Sequence, residues 1–144
     1  MIYRFFFITV AAVLLPLQWE TDFTTAKQKA SESHKNILLY FSGSDWCAPC
    51  IQTRKNYLDS ETFSAMAETK LVLLNADFPR RKANQLSAEQ QAKNDALAEK
   101  YNPDGEFPLT ILLDENGKVI RKWSGKPKTS VQEFTDEVRS LCSK

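Results

Sequence analysis

Apolar positions along this chain come in two patterns, short unbroken runs and spaced stripes, and each predicts a different element. Ile37-Leu38-Leu39-Tyr40-Phe41 is an unbroken run bounded by Asn36 and Ser42-Gly43, which suits a strand buried on both faces. Leu71 to Ala76, ending at Asp77, reads as a second buried strand, and Leu109 to Leu113 as a third strand. Val119 to Trp123 follows the third across Glu115-Asn116-Gly117-Lys118. The Asn-Gly pair there is a hairpin signal, so this segment is expected to pair antiparallel.

The spaced stripes predict helices. Asp22 is placed to cap one from Phe23 to Ser33, with Phe23, Ala26 and Ala30 on one face. Ile51 to Leu58 reads as another, with Ile51 and Leu58 on one side, and Asp59-Ser60 breaks it. Ser60 can cap a further short helix carrying Phe63 and Met66. Ser87-x-x-Gln90 is a capping-box pattern opening a helix to Tyr101, with Ala92, Ala96, Leu97 and Tyr101 facing inward. Asn102-Pro103-Asp104-Gly105 stops it. Ser130-x-x-Glu133 opens a last helix whose Val131, Phe134, Val138 and Leu141 form a core-facing stripe. The first two strands with helix between them make a βαβ unit, hence a parallel pair. The whole order predicts an α/β protein with a mixed central sheet flanked by helices on both faces.

Residues 1–18 break this pattern. Met1-Ile2-Tyr3-Arg4 gives a short positive start, Phe5 to Leu15 is apolar apart from Thr9, and Pro16 ends the run. It is short for a bilayer, which needs about 20 residues, and resembles the first two regions of a secretory signal. Leu15-Pro16-Leu17-Gln18 lacks a small-x-small cleavage site, so an uncleaved anchor is the competing reading. The expected organisation is a leader or anchor over 1–18 and one domain over 19–144, exported to the periplasm or anchored facing it. The net charge is +1, with no basic stripe to suggest nucleic acid. The densest basic run, Arg80-Arg81-Lys82, reads as a solvated loop in the segment from Phe78 to Gln85.

Candidate chemistry lies at the end of the first buried run, in Asp45-Trp46-Cys47-Ala48-Pro49-Cys50. Two cysteines separated by two residues at a strand-to-helix junction have the form of a redox dithiol. The first stands where unpaired helix N–H groups favour a thiolate, and the second follows about one turn on. A structural disulfide and half a metal site are the plainer alternatives. No ligand spacing supports zinc: His34 is the only histidine and reads as a surface residue, and Cys142 lies on the last helix. Ile51 after Cys50 excludes a c-type haem motif, and no G-x-G-x-x-G suggests a nucleotide cofactor. No cofactor beyond the dithiol itself is expected. Cys142, the odd cysteine, reads as a half-buried inert thiol, with an intermolecular disulfide as the alternative.

Trp46-Cys47-Ala48-Pro49-Cys50 closely resembles the thioredoxin motif Trp-Cys-Gly-Pro-Cys, with Ala48 for glycine. Phe107-Pro108 stands where thioredoxins place a cis-proline, just before the hairpin strands. The likeness covers about residues 19–144 and looks most like the exported bacterial thioredoxin-like proteins. It implies a thioredoxin-like fold, Cys47 as nucleophile and Cys50 as resolving thiol. It also implies a cis Pro108 packed against the dithiol and Phe107 offering backbone to an extended substrate. Two positions depart from the family. Its buried aspartate matches Tyr40 and the lysine partner of that aspartate matches Leu73, so both charges are lost together. Leu109 follows the proline where threonine is usual, and Thr110 comes one residue later. Water, Asp45 and the Tyr40 hydroxyl are left as candidate proton acceptors for Cys50.

Around the dithiol, Trp46 is read as a shield and apolar platform or as plain core. Asp45 is read as raising the Cys47 pKa or as a surface acid. Pro49 has neither N–H nor charge to stabilise a thiolate, which points toward a reductant. The expected activity is reduction of protein disulfides outside the cytoplasm, by a monomer re-reduced by a membrane electron carrier. A disulfide oxidase or isomerase is the alternative, as is a non-catalytic binding module.

Overall fold

The computed structural model describes residues 16–142, so the apolar run from Phe5 to Leu15 lies outside the described residues. Among the described residues no helix is long and apolar enough to cross a membrane. The elements are β1 (Trp19–Glu20), α1 (Phe23–Ser33), β2 (Asn36–Ser42), α2 (Ala48–Thr53), a π-helical turn (Arg54–Leu58) and α3 (Glu61–Lys70). There follow β3 (Leu71–Asp77), α4 (Ala88–Tyr101), β4 (Leu109–Leu113), β5 (Val119–Ser124) and α5 (Val131–Leu141).

The five strands form one sheet in the order β1-β3-β2-β4-β5. β3 runs parallel to β2 and to β1, while β4 is antiparallel to both β2 and β5. The unbroken run in β2 is buried along its whole length because both faces are covered. One face carries Leu38, Tyr40, Leu71, Leu73 and Leu112 against Leu58, Phe63, Met66, Phe134 and Val138. The other carries Ile37, Leu39, Phe41, Leu74 and Ile111 against Ala26 and Ala30 of α1 and Leu97 and Tyr101 of α4. Cys142 is a free, buried cysteine of the first face, where burial pushes its thiol pKa up. His34 is exposed and ends α1 in a left-handed conformation.

Four local readings change. The helix expected over Ile51–Leu58 starts at Ala48 and loosens into the π turn at Arg54, where Asp59 N–H donates to Arg54 O. The wider turn shifts the helical register, so Leu58 is buried while Ile51 is 48% exposed. On α4 the inner face is Asn94, Leu97 and Tyr101, and Ala92 and Ala96 are exposed. Polar Asn94 faces inward because its Nδ2 donates to Asp77 O at 2.9 Å, which ends β3 against the helix. Ser87 caps α4 through Gln90 N–H, but the Gln90 side chain donates to Thr21 O and to Asn94 Oδ1, leaving the box half formed. β1 has only two residues and was not foreseen; it is held by pairing with Leu73 and Leu74.

Asp22 caps α1 as expected, accepting from Thr25 N–H at 2.8 Å and pairing with Lys93 Nζ at 3.0 Å. The Thr25 amide and then Lys93 lower its carboxyl from 3.8 to about 2. A depressed pKa stabilises the fold above the unfolded value and loses that contribution as pH falls toward 2. Asp22→Ala is expected to cost about 1 kcal/mol at neutral pH, the usual size of an N-cap loss. In urea denaturation across pH, the gap from wild type should close between about pH 4 and 2.

Candidate functional site

The site forms at the C-terminal ends of β2 and β3. Along the face toward α2, β2 presents Leu38, Tyr40 and then Ser42, and β3 presents Leu71, Leu73 and then Asn75. The stripe thus changes from apolar to polar where the chain leaves the sheet for the cysteines. Cys47 is the N-cap of α2, and its Sγ accepts from Cys50 N–H at 3.2 Å. Cys47 and Cys50 are joined in a disulfide and are 5% and 1% exposed. Pro49 sits in the first turn of α2, where an amide proton would have no helical partner.

The flanks are pinned by contacts that sequence spacing did not disclose. Trp46 Nε1 donates to Phe78 O at 2.7 Å, and its ring meets Phe107 edge-on at 5.5 Å. Phe107 also meets Phe78, at 5.5 Å, so one aromatic cluster joins the dithiol loop to both neighbouring loops. Gly43 permits the close approach of Trp46: a Cβ there would lie 2.2 Å from the indole. The Phe107-Pro108 bond is cis, and Pro108 is buried. Asn102 braces the loop before it by bonding both the N–H and the carbonyl of Glu106. Leu109 is buried, and Thr110 lies opposite Tyr40 in the sheet.

Arg80-Arg81-Lys82 is exposed, as expected of a solvated run, but its backbone is fastened to the dithiol loop. The Asp45 carboxylate accepts from the N–H groups of Arg80 and Arg81, at 2.9 Å each, and from Asn84 Nδ2. The Arg80 guanidinium packs 3.6 Å from the Trp46 ring centroid. The Arg80 amide, with Arg81 and Asn84, holds the Asp45 carboxyl below its usual range. Asp45 is thus a surface acid that also braces the loop.

Tyr40 is likewise no proton acceptor. Its hydroxyl donates to Cys50 O at 2.7 Å, and burial pushes its pKa well up. It buttresses α2 from below. Leu73 is buried in the apolar stripe, so no charge replaces the family's lysine there. Instead Asn75, the register partner of Tyr40, shares a cavity of about 240 Å³ with Tyr40 and Cys50. Its Oδ1 is buried without a hydrogen-bond partner among the described residues. Such an acceptor costs about 1–3 kcal/mol if nothing bonds it. A polar residue breaking the apolar run Leu71–Ala76 was the sequence signal for it. Among the described residues no three His, Cys, Asp or Glu side chains group as they would to hold a metal ion.

A disulfide across a Cys-x-x-Cys at a helix start, its loop packed through Trp46 on the cis-proline loop beside a mixed sheet, defines a protein of the thioredoxin-like class. The family model described as "Thioredoxin-like" matches residues 18–114, and the chain belongs to that family. It is similar to the disulfide bond reductase DsbH of Chlamydia pneumoniae, 35% identical over 111 residues, covering 77% of this chain and 64% of that protein. It is also similar to the thioredoxin-related protein DsbJ of Chlamydia pneumoniae, 33% identical over 102 residues, covering 71% of this chain but 28% of that protein. A solved structure of a DsbH oxidoreductase superposes with a TM-score of 0.77 at 31% identity, covering 88% of this chain and 85% of that one. The chain thus spans less than two thirds of either curated relative.

Proposed function

We propose that this protein is a thiol–disulfide oxidoreductase that reduces protein disulfides outside the cytoplasm. The observation that carries the reading is the Cys50 N–H directed at Cys47 Sγ from the first turn of α2. In the reduced protein that donor favours the Cys47 thiolate over the thiol. Cys47 attacks one sulfur of a substrate disulfide. That S–S bond breaks, one substrate thiolate leaves and takes up a proton, and Cys47 is left in a mixed disulfide. Cys50 then loses its proton and attacks Cys47 sulfur. The Cys47–Cys50 bond forms and the second substrate thiol is released. Two electrons have moved to the substrate, and a membrane electron carrier returns them. Phe107 and cis Pro108, joined to the dithiol loop through Trp46, present the backbone that an extended substrate would pair with. The similarity to a reductase and the absence of N–H or charge at Pro49 both favour reduction over oxidation. The protein works as a monomer, and residues 1–18 direct its export.

A redox titration of the dithiol against defined thiol buffers tests the direction. A midpoint more negative than about −200 mV is expected, and one near the value of about −120 mV typical of a strong oxidant overturns the reductase reading. In the same preparation the wild type should reduce insulin with dithiothreitol as donor. Failure to do so would leave a binding module.

A further inference from the structure

Four buried side-chain polar atoms have no partner among the described residues: Trp19 Nε1, Asn75 Oδ1, Thr110 Oγ1 and Trp123 Nε1. Of these residues, only Asn75 lines the cavity that reaches Cys50. The cavity wall is largely apolar but carries the polar side chains of Ser42, Ser44 and Asn75, and its volume exceeds that of one water several times over, so solvent can enter and bond the orphaned acceptor. Tyr40, the other polar group beneath Cys50, already donates its hydroxyl to Cys50 O at 2.7 Å. We propose that Asn75 is a positioning residue for Cys50: its Oδ1 orients a cavity water that takes the Cys50 proton and passes it to solvent.

The donor and acceptor balance supports this arrangement. A water that donates to Asn75 Oδ1 turns a lone pair outward and can accept from the Cys50 S–H. The proton passes along cavity water to bulk solvent, the Cys50 thiolate attacks Cys47 sulfur, and the substrate thiolate departs. Other charged groups near this site are already engaged. Asp59 is paired with Arg54 Nε at 2.8 Å, and Asp77 accepts from Ser42, Ser44 and the Phe78 amide. Lys55 lies on the cavity wall as a cation and cannot accept. The inference rests on the proposed two-step chemistry.

The test separates the two steps in one trace. Reduced protein carrying Cys142→Ala is mixed with the aromatic disulfide 5,5′-dithiobis(2-nitrobenzoate) in stopped flow. Attack by Cys47 releases the first thionitrobenzoate, and resolution by Cys50 releases the second. Asn75→Leu, close to isosteric, should slow the second release about tenfold and leave the first unchanged, a modest fraction of what a full general base supplies. Its melting temperature should change little, because losing one water-mediated hydrogen bond is offset by burying an apolar group of the same shape. Asn75→Asp should restore the second release and add an inflection to its pH profile that wild type lacks. An unchanged second release in Asn75→Leu, or equal slowing of both releases, overturns the role of Asn75. A wild type that releases only one thionitrobenzoate instead overturns the two-cysteine chemistry itself.

Discussion

Cys50→Ser should convert this protein from a catalyst into a trap. Mixed with a disulfide-bonded protein such as insulin, the reduced variant is expected to form a stable one-to-one adduct, visible on a non-reducing gel and released by dithiothreitol. Turnover should fall by about four orders of magnitude or more, the scale of loss when one member of a catalytic unit is removed. The expectation follows from the division of labour at α2. Cys47 sits at the helix cap with the residue 50 amide directed at its sulfur, and that amide belongs to the backbone. Serine keeps it, so the first attack survives. Serine also fits the site, which is closed at 1% exposure beneath the dithiol loop. Its hydroxyl is too weakly acidic to displace the substrate thiolate, so the mixed disulfide persists. Cys47→Ser should form no adduct and show no turnover. Adduct formation by Cys47→Ser but not by Cys50→Ser would reverse the assigned roles.

How far such roles could be read in advance depended on the range of the interactions behind them. β2, β3 and β4 were legible because burial leaves short, mostly apolar runs, with Phe41 and Leu74 in the core. The helix caps at Asp22, Ser60 and Ser130 were legible because capping acts over three residues. The dithiol and the cis-proline were legible through a motif. The π turn was not, because a change of hydrogen-bond register from Arg54 leaves no compositional mark. Asn94 on the buried face of α4 reversed the expectation for Ala92 and Ala96, since its partner, Asp77 O, is a backbone atom on another element. Asp45 and Arg80 are 35 residues apart, and nothing local in either segment announces that one carboxylate fastens the other's loop. Asn75 was visible as a polar break in an apolar strand, yet its meaning required the fold that sets it opposite Tyr40 and beside Cys50.

Pro49→His should make the dithiol more oxidising, raising its midpoint potential by roughly 30–60 mV. Pro49 occupies the second position of α2, where any other residue would add an N–H near Cys47 Sγ. The thiolate therefore has the Cys50 amide but not a second amide from its neighbour. A histidine restores the N–H and can add a protonated ring beside the sulfur, and hydrogen bonds to a charged group contribute about 1.5–3 kcal/mol. Stabilising the thiolate stabilises the reduced form, which raises the potential, and about 1.4 kcal/mol corresponds to 30 mV for this two-electron couple. The Cys47 pKa should fall by about 1–2 units for the same reason, at 1.36 kcal/mol per unit. Pro49→Ala supplies the control, restoring the amide without the ring, and its potential should lie between the other two. All three can be equilibrated with glutathione buffers and read by thiol alkylation, while iodoacetamide reactivity against pH reports the Cys47 pKa. Pro49 is exposed, so the substitutions should leave the melting temperature of the oxidised protein nearly unchanged. A potential that stays constant while the Cys47 pKa falls would mean that the thiolate is not the form that sets the reducing power of this site. The reductant reading would then rest on the similarity to DsbH alone.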